Sequence, residues 1–332
     1  LTNSIGMLFL LNLLGSAFIG LFYICNILLR KSIWYKNLFV DYDHKKYPDN
    51  VWYREHNERN FDIVNLGSSG AKSAFDYKNT GILGMNWAQA PQTLHDDFRL
   101  LKNFHSILRQ EGYVLITLMP FTSLNKKTGL MDTLKYTMTL APTLLDPQFK
   151  KNAFVIRKYP ILLGKPAIKA LLNCLLKRRH SALVCEGIDY NPMDIKSLEA
   201  DALLWVNGWK QQFDIDDFEA PLTPENLKGR ACRVELMRDM IDFCRERNYQ
   251  PVCIILPVTK QMAKYFSKEF KRTYIYSFIE EINRGVPVLD YSDIDYLMQN
   301  EFYFNSFLLN QTGRKEFTKR VLSDLKLISS IE

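Results

Sequence analysis

The chain has 332 residues, 47% of them hydrophobic, and a formal net charge of +7. That apolar share excludes a disordered or fibrous protein and suffices for one large α/β domain, or for one domain with a sizeable insertion. The cysteines Cys25, Cys174, Cys185, Cys232, Cys244 and Cys253 form no CxxC pair, which argues against a metal site and a dense disulfide framework and leaves a single Cys174–Cys185 bridge as an open pairing.

The first predicted element is apolar. From Ile5 to Leu29 there is no charged residue, only two Asn and one Ser as polar interruptions. About 20 apolar residues cross a bilayer, so residues 1–30 predict a transmembrane anchor. A signal peptide would have a shorter core and a small-residue cleavage site, which is not found. A buried core helix is the less favoured alternative, because the apolar character runs around the whole circumference and sits at the extreme N-terminus. The first residue is Leu rather than Met, which suggests a fragment or a processed form. Residues 31–60 are aromatic and charged and predict a juxtamembrane linker, with Trp34, Tyr35 and Tyr47 suited to the headgroup region. Arg30, Lys31 and Lys36 follow the span and, by the positive-inside rule, favour a cytoplasmic C-terminal domain.

Beyond the linker, short apolar runs alternate with helical periods. Strands are expected at 61–66, 84–87, 113–118, 252–256 and 286–290, with helices at 94–109, 232–248, 261–282 and 312–327. Five strands separated by helices imply a doubly wound parallel sheet, so the α/β domain is placed at 61–330. The rhythm breaks over about 125–230, read as a helical insertion. Within it, residues 147–185 carry Lys150, Lys151, Arg157, Lys158, Lys165, Lys169, Lys177, Arg178 and Arg179 and no acidic residue.

A helix over Ala167–Leu176 would put Ile168, Leu171, Leu172, Leu175 and Leu176 on one face and Lys169, Asn173 and Lys177 on the other. Such a helix either lies on a membrane surface or caps the core with its apolar face. The basic run is confined to one segment, and its aromatic residues Phe149, Phe154 and Tyr159 do not make the stacking platform of a nucleic-acid binder, so no nucleic-acid partner is expected. No internal repeat is present.

The chemistry-bearing motif is Phe61-Asp-Ile-Val-Asn-Leu-Gly67-Ser68-Ser69-Gly70. An apolar strand ending in Gly-Ser delivers a hydroxyl to its carboxyl end, where open α/β sheets place their sites. A phosphate loop would need GxxxxGK[ST] and a dinucleotide site GxGxxG, and neither is present. What remains is a nucleophile on a strand-to-helix turn, or a structural turn using Gly67 and Gly70 for positive φ.

These residues resemble the first block of the SGNH (GDSL-like) hydrolase superfamily, with Gly-Ser-Ser in place of Gly-Asp-Ser, which makes Ser69 the nucleophile position. The stretch from Val288 through Asn310-Gln-Thr-Gly313 to Phe317 is similar to the family's last block, Asp-x-x-His-Leu-Asn-x-x-Gly, but Asn305 stands at the Asp position and Leu308 at the His position. Asn86-Trp-Ala-Gln-Ala90 resembles the second block with alanine for glycine, and Met119-Pro-Phe-Thr lacks the third block's Asn. The resemblance covers about residues 61–130 and 231–327. It implies a flavodoxin-like sheet, no cofactor, and binding positions at Gly67, Ser68, Gly70, Asn86, Asn305 and Asn310.

Leucine accepts no proton, and a serine without a base is a poor nucleophile. Of five histidines, His44, His56 and His180 fall in the linker or insertion, and His105 reads as a helix residue. His95 is a candidate substitute base on the sheet end of Ser69, with a carboxylate such as the following Asp96 to orient its ring. Beside it stand an unrecognised base elsewhere and the simpler reading that His95, Asp96 and Asp97 begin a solvated helix. Asp76 and Tyr77 read as local capping and packing.

Membrane-anchored relatives of this kind accompany membrane-bound O-acyltransferases in decorating envelope polymers. The resemblance therefore implies an extracytoplasmic domain, against the flanking charges, and it is the reading followed. It also implies a glycan polymer acceptor, a membrane-bound O-acyltransferase and membrane lipid as partners, with acyl chemistry at Ser69 impaired. An active serine acyltransferase or esterase, and a glycan-assembly factor with no acyl link, are the alternatives.

Overall fold

The computed structural model describes residues 2–32, 34–35, 60–124, 130–138, 140–176 and 192–329. In chain order the elements are α1 (Thr2–Lys31), β1 (Phe61–Leu66), α2 (Ser69–Ala74), β2 (Gly84–Asn86), α3 (Leu94–Phe104), β3 (Leu108–Leu118), α4 (Leu130–Leu134), α5 (Pro147–Lys158) and α6 (Lys165–Leu175). They continue with α7 (Ile195–Phe213), α8 (Pro224–Glu246), β4 (Gln250–Ile255), α9 (Lys260–Ala263), α10 (Lys268–Lys271), α11 (Ser277–Ile282), β5 (Val288–Asp290) and α12 (Gln311–Asp324). Two compact units result: described residues 2–35 with 130–176, and 60–124 with 192–329.

The second unit is α/β. Its five strands run parallel in the order β2-β1-β3-β4-β5. Ile63, Val64, Leu66, Val114, Leu115, Ile116, Val252 and Ile254 are all buried. Such runs of buried apolar residues belong to a parallel sheet covered on both faces by helices. On one face Ile63, Leu115 and Ile254 share a core with Phe75 at the end of α2 and with Phe317, Val321 and Leu322 of α12.

The element boundaries differ from expectation where capping or pairing overrides periodicity. The helix expected over 94–109 stops at Phe104, because Leu108 pairs with Phe61 and β3 therefore starts five residues before Tyr113. Strand 84–87 ends at Asn86, the strand expected at 252–256 runs Gln250–Ile255, and 286–290 shrinks to Val288–Asp290. The helix expected from 232 begins at Pro224, where Thr223 accepts a hydrogen bond from Asn226 N and caps the first turn. The expected helix 261–282 breaks into α9, α10, a π-helical turn at Arg272–Tyr276, and α11, because the Ser267 side chain caps a new helix by accepting from Phe270 N. Cys244 and Cys253 are buried, and burial pushes both thiols up to about 12, which keeps them out of thiolate chemistry.

The first unit is built on α1. Its 22-residue segment Leu10–Lys31 is long and apolar enough to cross a membrane. Packing on it begins at Phe22 and Tyr23, whose rings lie 5.5 Å and 6.2 Å from that of Tyr159. Asn26, buried, accepts from Ile161 N with Oδ1 (3.1 Å) and donates with Nδ2 to Phe22 O (2.8 Å). Leu29, one turn further, is fully buried against Ala167 and Ala170 of α6, with Trp34 beside them. Tyr35 donates its hydroxyl proton to Arg157 O (2.8 Å), and burial raises its pKa. Most of the expected linker, including Tyr47, His44 and His56, lies outside the described residues, as do His180 and Cys185. Cys174 is a free, exposed thiol.

Candidate functional site

At the end of β1 the chain turns at Gly67, with φ of +132°. A side chain there would be doubly opposed: the backbone lies in a region favoured by glycine, and a Cβ would come within 2.8 Å of Ala71 Cβ and 3.1 Å of Thr117 Cβ. Gly70 does not have positive φ. It is a helical residue of α2 whose requirement is space, since a Cβ would meet Met119 Sδ at 2.7 Å and Leu256 Cδ1 at 3.0 Å.

The turn is braced from α3. Asp97, 4% exposed, accepts from Gly67 N (2.9 Å) and from Gln92 Nε2 (2.5 Å) through the same Oδ1. Ser68 Oγ accepts from Gln92 N at 3.2 Å. Ser69 opens α2 and is half-buried, and no hydrogen bond to its hydroxyl exists among the described residues.

A cavity of about 420 Å³ lies over this turn, with Gly67, Ser68, Ser69 and Thr117 at its base and Gln92 and Asp97 at one side. It stands at the carboxyl ends of β1 and β3, the strands at which the order of the sheet reverses, which is where α/β sheets form ligand crevices. Thr117 Oγ1 is buried and has no hydrogen-bond partner among the described residues. Such an atom is costly unless a ligand or water satisfies it.

The opposite wall is aromatic, from Phe121, Trp205, Trp209, Phe213 and Phe307. Trp205 and Trp209 sit one turn apart on α7 with ring centroids 5.9 Å apart, and the Phe307 ring is edge-on to both at 4.8 Å and 5.3 Å. Phe121 lies 5.3 Å from Trp209 and 5.1 Å from Phe213. Arg233 of α8 also lines the space. Its Nη1 donates to Gly229 O (3.2 Å), and burial lowers its pKa.

The C-terminal loop reaches this cavity through Phe307. Leu308 is half-buried and does not line it. Asn305 is engaged in a local turn, its Oδ1 accepting from Phe307 N (3.1 Å) and Leu308 N (2.8 Å). Ser306 is tied to α7 by donating from both N and Oγ to Asp201 Oδ2, at 2.9 Å and 2.5 Å. Asn310 is the N-cap of α12, with Oδ1 accepting from Thr312 N and Gly313 N and Nδ2 donating to Glu301 O.

Asn86 is buried inside the sheet edge. Its Oδ1 accepts from Asn65 Nδ2 (2.8 Å) and Ala88 N (3.0 Å), and its Nδ2 reaches the carbonyls of Ala71, Lys72 and Phe75 at the end of α2. Asn86, Asn305 and Asn310 thus shape the loops around the cavity instead of lining it. The reason is common to all three: a side-chain amide next to unpaired backbone groups satisfies them first.

His95 is exposed and is not part of the cavity lining. Asp96 forms a capping box with Thr93 and an ion pair with Arg99 (3.0 Å). These two residues begin a helix, the structural alternative drawn from the sequence. His105 lies at the amino end of β3, away from Ser69. Its Nδ1 is 3.3 Å from the Tyr249 hydroxyl, and burial with the Arg247 charge lowers its pKa.

Among the described residues no histidine lines the cavity, and its buried carboxylate already accepts two hydrogen bonds. The geometry can therefore hold a ligand between a polar base and an aromatic wall, and among the described residues no histidine of the lining serves Ser69 as a proton acceptor.

The sequence reading missed Gln92, Thr117, Phe121, Arg233 and Phe307 entirely. Asp97 appeared only as a helix-start residue. For Trp205 and Trp209 the available signal was their i, i+4 spacing, which places two of the chain's five tryptophans on one helix face. In comparisons with known proteins, the chain matches no family model and no curated protein.

Proposed function

We propose that this chain is a single-pass membrane protein whose SGNH-like domain binds an acyl-bearing or acyl-accepting glycan of the cell envelope, and that it works beside a membrane-bound O-acyltransferase without performing serine catalysis itself. The observation that carries this reading is the Ser69 hydroxyl in a cavity with an aromatic wall and, among the described residues, no histidine in its lining. A serine in that setting stays a hydroxyl and serves as a hydrogen-bonding group. Rigid aromatic faces opposed by a few polar atoms suit a ring with one apolar face and a hydroxyl-bearing edge.

The strand order β2-β1-β3-β4-β5 supports a flavodoxin-like, SGNH-like arrangement. The segment Leu10–Lys31 supports the anchor, and an extracytoplasmic domain follows from the envelope reading. The alternative, an active acyltransferase or esterase with Ser69 as nucleophile, requires a base supplied from elsewhere.

Titrating the detergent-solubilised full chain with O-acetylated glucan oligosaccharides, followed by tryptophan fluorescence, tests the reading. Trp205→Ala is expected to weaken binding about tenfold or more, equivalent to about 1.4 kcal/mol, while Ser69→Ala, which removes a single neutral hydrogen-bonding group, weakens it by about 0.5–1.5 kcal/mol without abolishing it. Trp205, unlike Trp209, is 37% exposed, so its removal spares the core. Wild-type affinity in Trp205→Ala, or no binding by the wild type, would remove the glycan-binding reading.

A further inference from the structure

We propose that α6 lies in the plane of an anionic bilayer surface, as a second membrane contact beside the spanning helix α1. The apolar face expected for this helix does not pack as a unit. Ala167, Ala170 and Leu171 turn toward Leu29 and Trp34. Ile168, Leu172 and Leu175 are left 51%, 52% and 61% exposed on an adjacent arc. Lys165 and Lys169, also exposed, border that arc. Three exposed large apolar side chains flanked by lysines form the pattern of a helix resting at the headgroup boundary, with its lysines extended toward phosphates.

The level of α6 along α1 indicates what covers the face. The uncharged run of α1 from Ile5 to Cys25 has the roughly 20 residues that span a hydrocarbon core. Asn26, its first buried polar side chain on the C-terminal side, hydrogen-bonds Ile161 N. Leu29, about one turn beyond, is where α6 docks. A helix held at that level meets the interface and not bulk water.

Charge points the same way: residues 147–176 contain Lys150, Lys151, Arg157, Lys158, Lys165 and Lys169 and no Asp or Glu. Each basic residue near an anionic leaflet is drawn toward its surface. A protein partner would require its own acidic, apolar surface, whereas the lipid is already present along α1. The proposal rests on α1 crossing the bilayer and on nothing concerning the cavity.

The test uses the full chain with Cys25, Cys174, Cys185 and Cys232 replaced by serine, in vesicles of phosphatidylglycerol and phosphatidylethanolamine. A bimane label is placed at Leu172→Cys, at Asn173→Cys about 100° round the helix, or at Gly15→Cys, where a Cβ has nothing within 4 Å. Lipids carrying a nitroxide high on the acyl chain should quench the Leu172 label several-fold more than the Asn173 label. Omitting phosphatidylglycerol, or introducing Lys165→Glu with Lys169→Glu, should reduce that difference.

Equal, weak quenching at both α6 positions, with the Gly15 label quenched by a nitroxide deep in the chain, would overturn the proposal while the anchor stands. An unquenched Gly15 label would refute the anchor and the interfacial helix together. Quenching at Leu172 that ignores anionic lipid would overturn the charge part of the proposal.

Discussion

Asp97→Ala is expected to lower the stability of the α/β unit by about 2–4 kcal/mol, because two donors aimed at one carboxylate oxygen lose their acceptor and each stranded buried donor costs about 1–3 kcal/mol. The donors are Gly67 N at 2.9 Å and Gln92 Nε2 at 2.5 Å. Gln92 N in turn donates to Ser68 Oγ, so the loss reaches the turn that carries Ser69. Asp97→Asn keeps an oxygen for Gly67 N and is expected to recover at least half of the loss. Urea unfolding followed by circular dichroism reads both variants. An Asp97→Ala midpoint equal to wild type would mean that the carboxylate does not brace the turn.

Gly67→Ala is expected to cost a comparable amount by a different route. A non-glycine residue at φ of +132° carries about 1–3 kcal/mol of backbone strain, and crowding against the Ala71 and Thr117 Cβ atoms adds about 1–3 kcal/mol as overpacking. Gly208 on α7 provides the contrast: it is exposed, helical, has no atom within 4 Å of a built Cβ and has no positive φ. Gly208→Ala should raise stability by about 0.5–1 kcal/mol. If both substitutions shift the unfolding midpoint in the same direction, the steric account of the Gly-Ser turn fails.

What the sequence made legible follows from what determines each feature. The strands were readable because a parallel sheet buried on both faces demands largely apolar runs, as in Phe61–Leu66, interrupted only by Asp62 and Asn65, and in residues 251–255. Boundaries were lost where a single side chain decides them, as Thr223 does for α8 and Ser267 for α10. The hydroxyl at the tip of β1 was readable from Gly67-Ser68-Ser69, since the strand and the sheet rule together place it.

The wall facing that hydroxyl was not readable. It is assembled from β3's following loop, α7, α8 and the C-terminal loop, residues far apart in the chain that periodicity cannot pair. The last block shows the same limit. Counting along it singles out Leu308, whereas the folded loop presents Phe307 to the cavity, because the Asn305 turn and the Ser306–Asp201 bonds fix the orientation of the backbone there. Likewise the helix at Ala167–Leu176 was expected with one apolar face, but the small residues Ala167 and Ala170 are the ones buried against Leu29 of α1, with Leu171 packed beside them and Ile168, Leu172 and Leu175 left exposed.

Ser69 lies in a ligand cavity whose lining, among the described residues, holds no histidine to act as its base. The most direct measurement is intact-mass detection of a fluorophosphonate adduct on the full chain, wild type beside Ser69→Ala. No adduct on either protein, under conditions that fully label an active serine hydrolase, is the expected result. An adduct on the wild type that disappears in Ser69→Ala would contradict it and make the chain a serine enzyme.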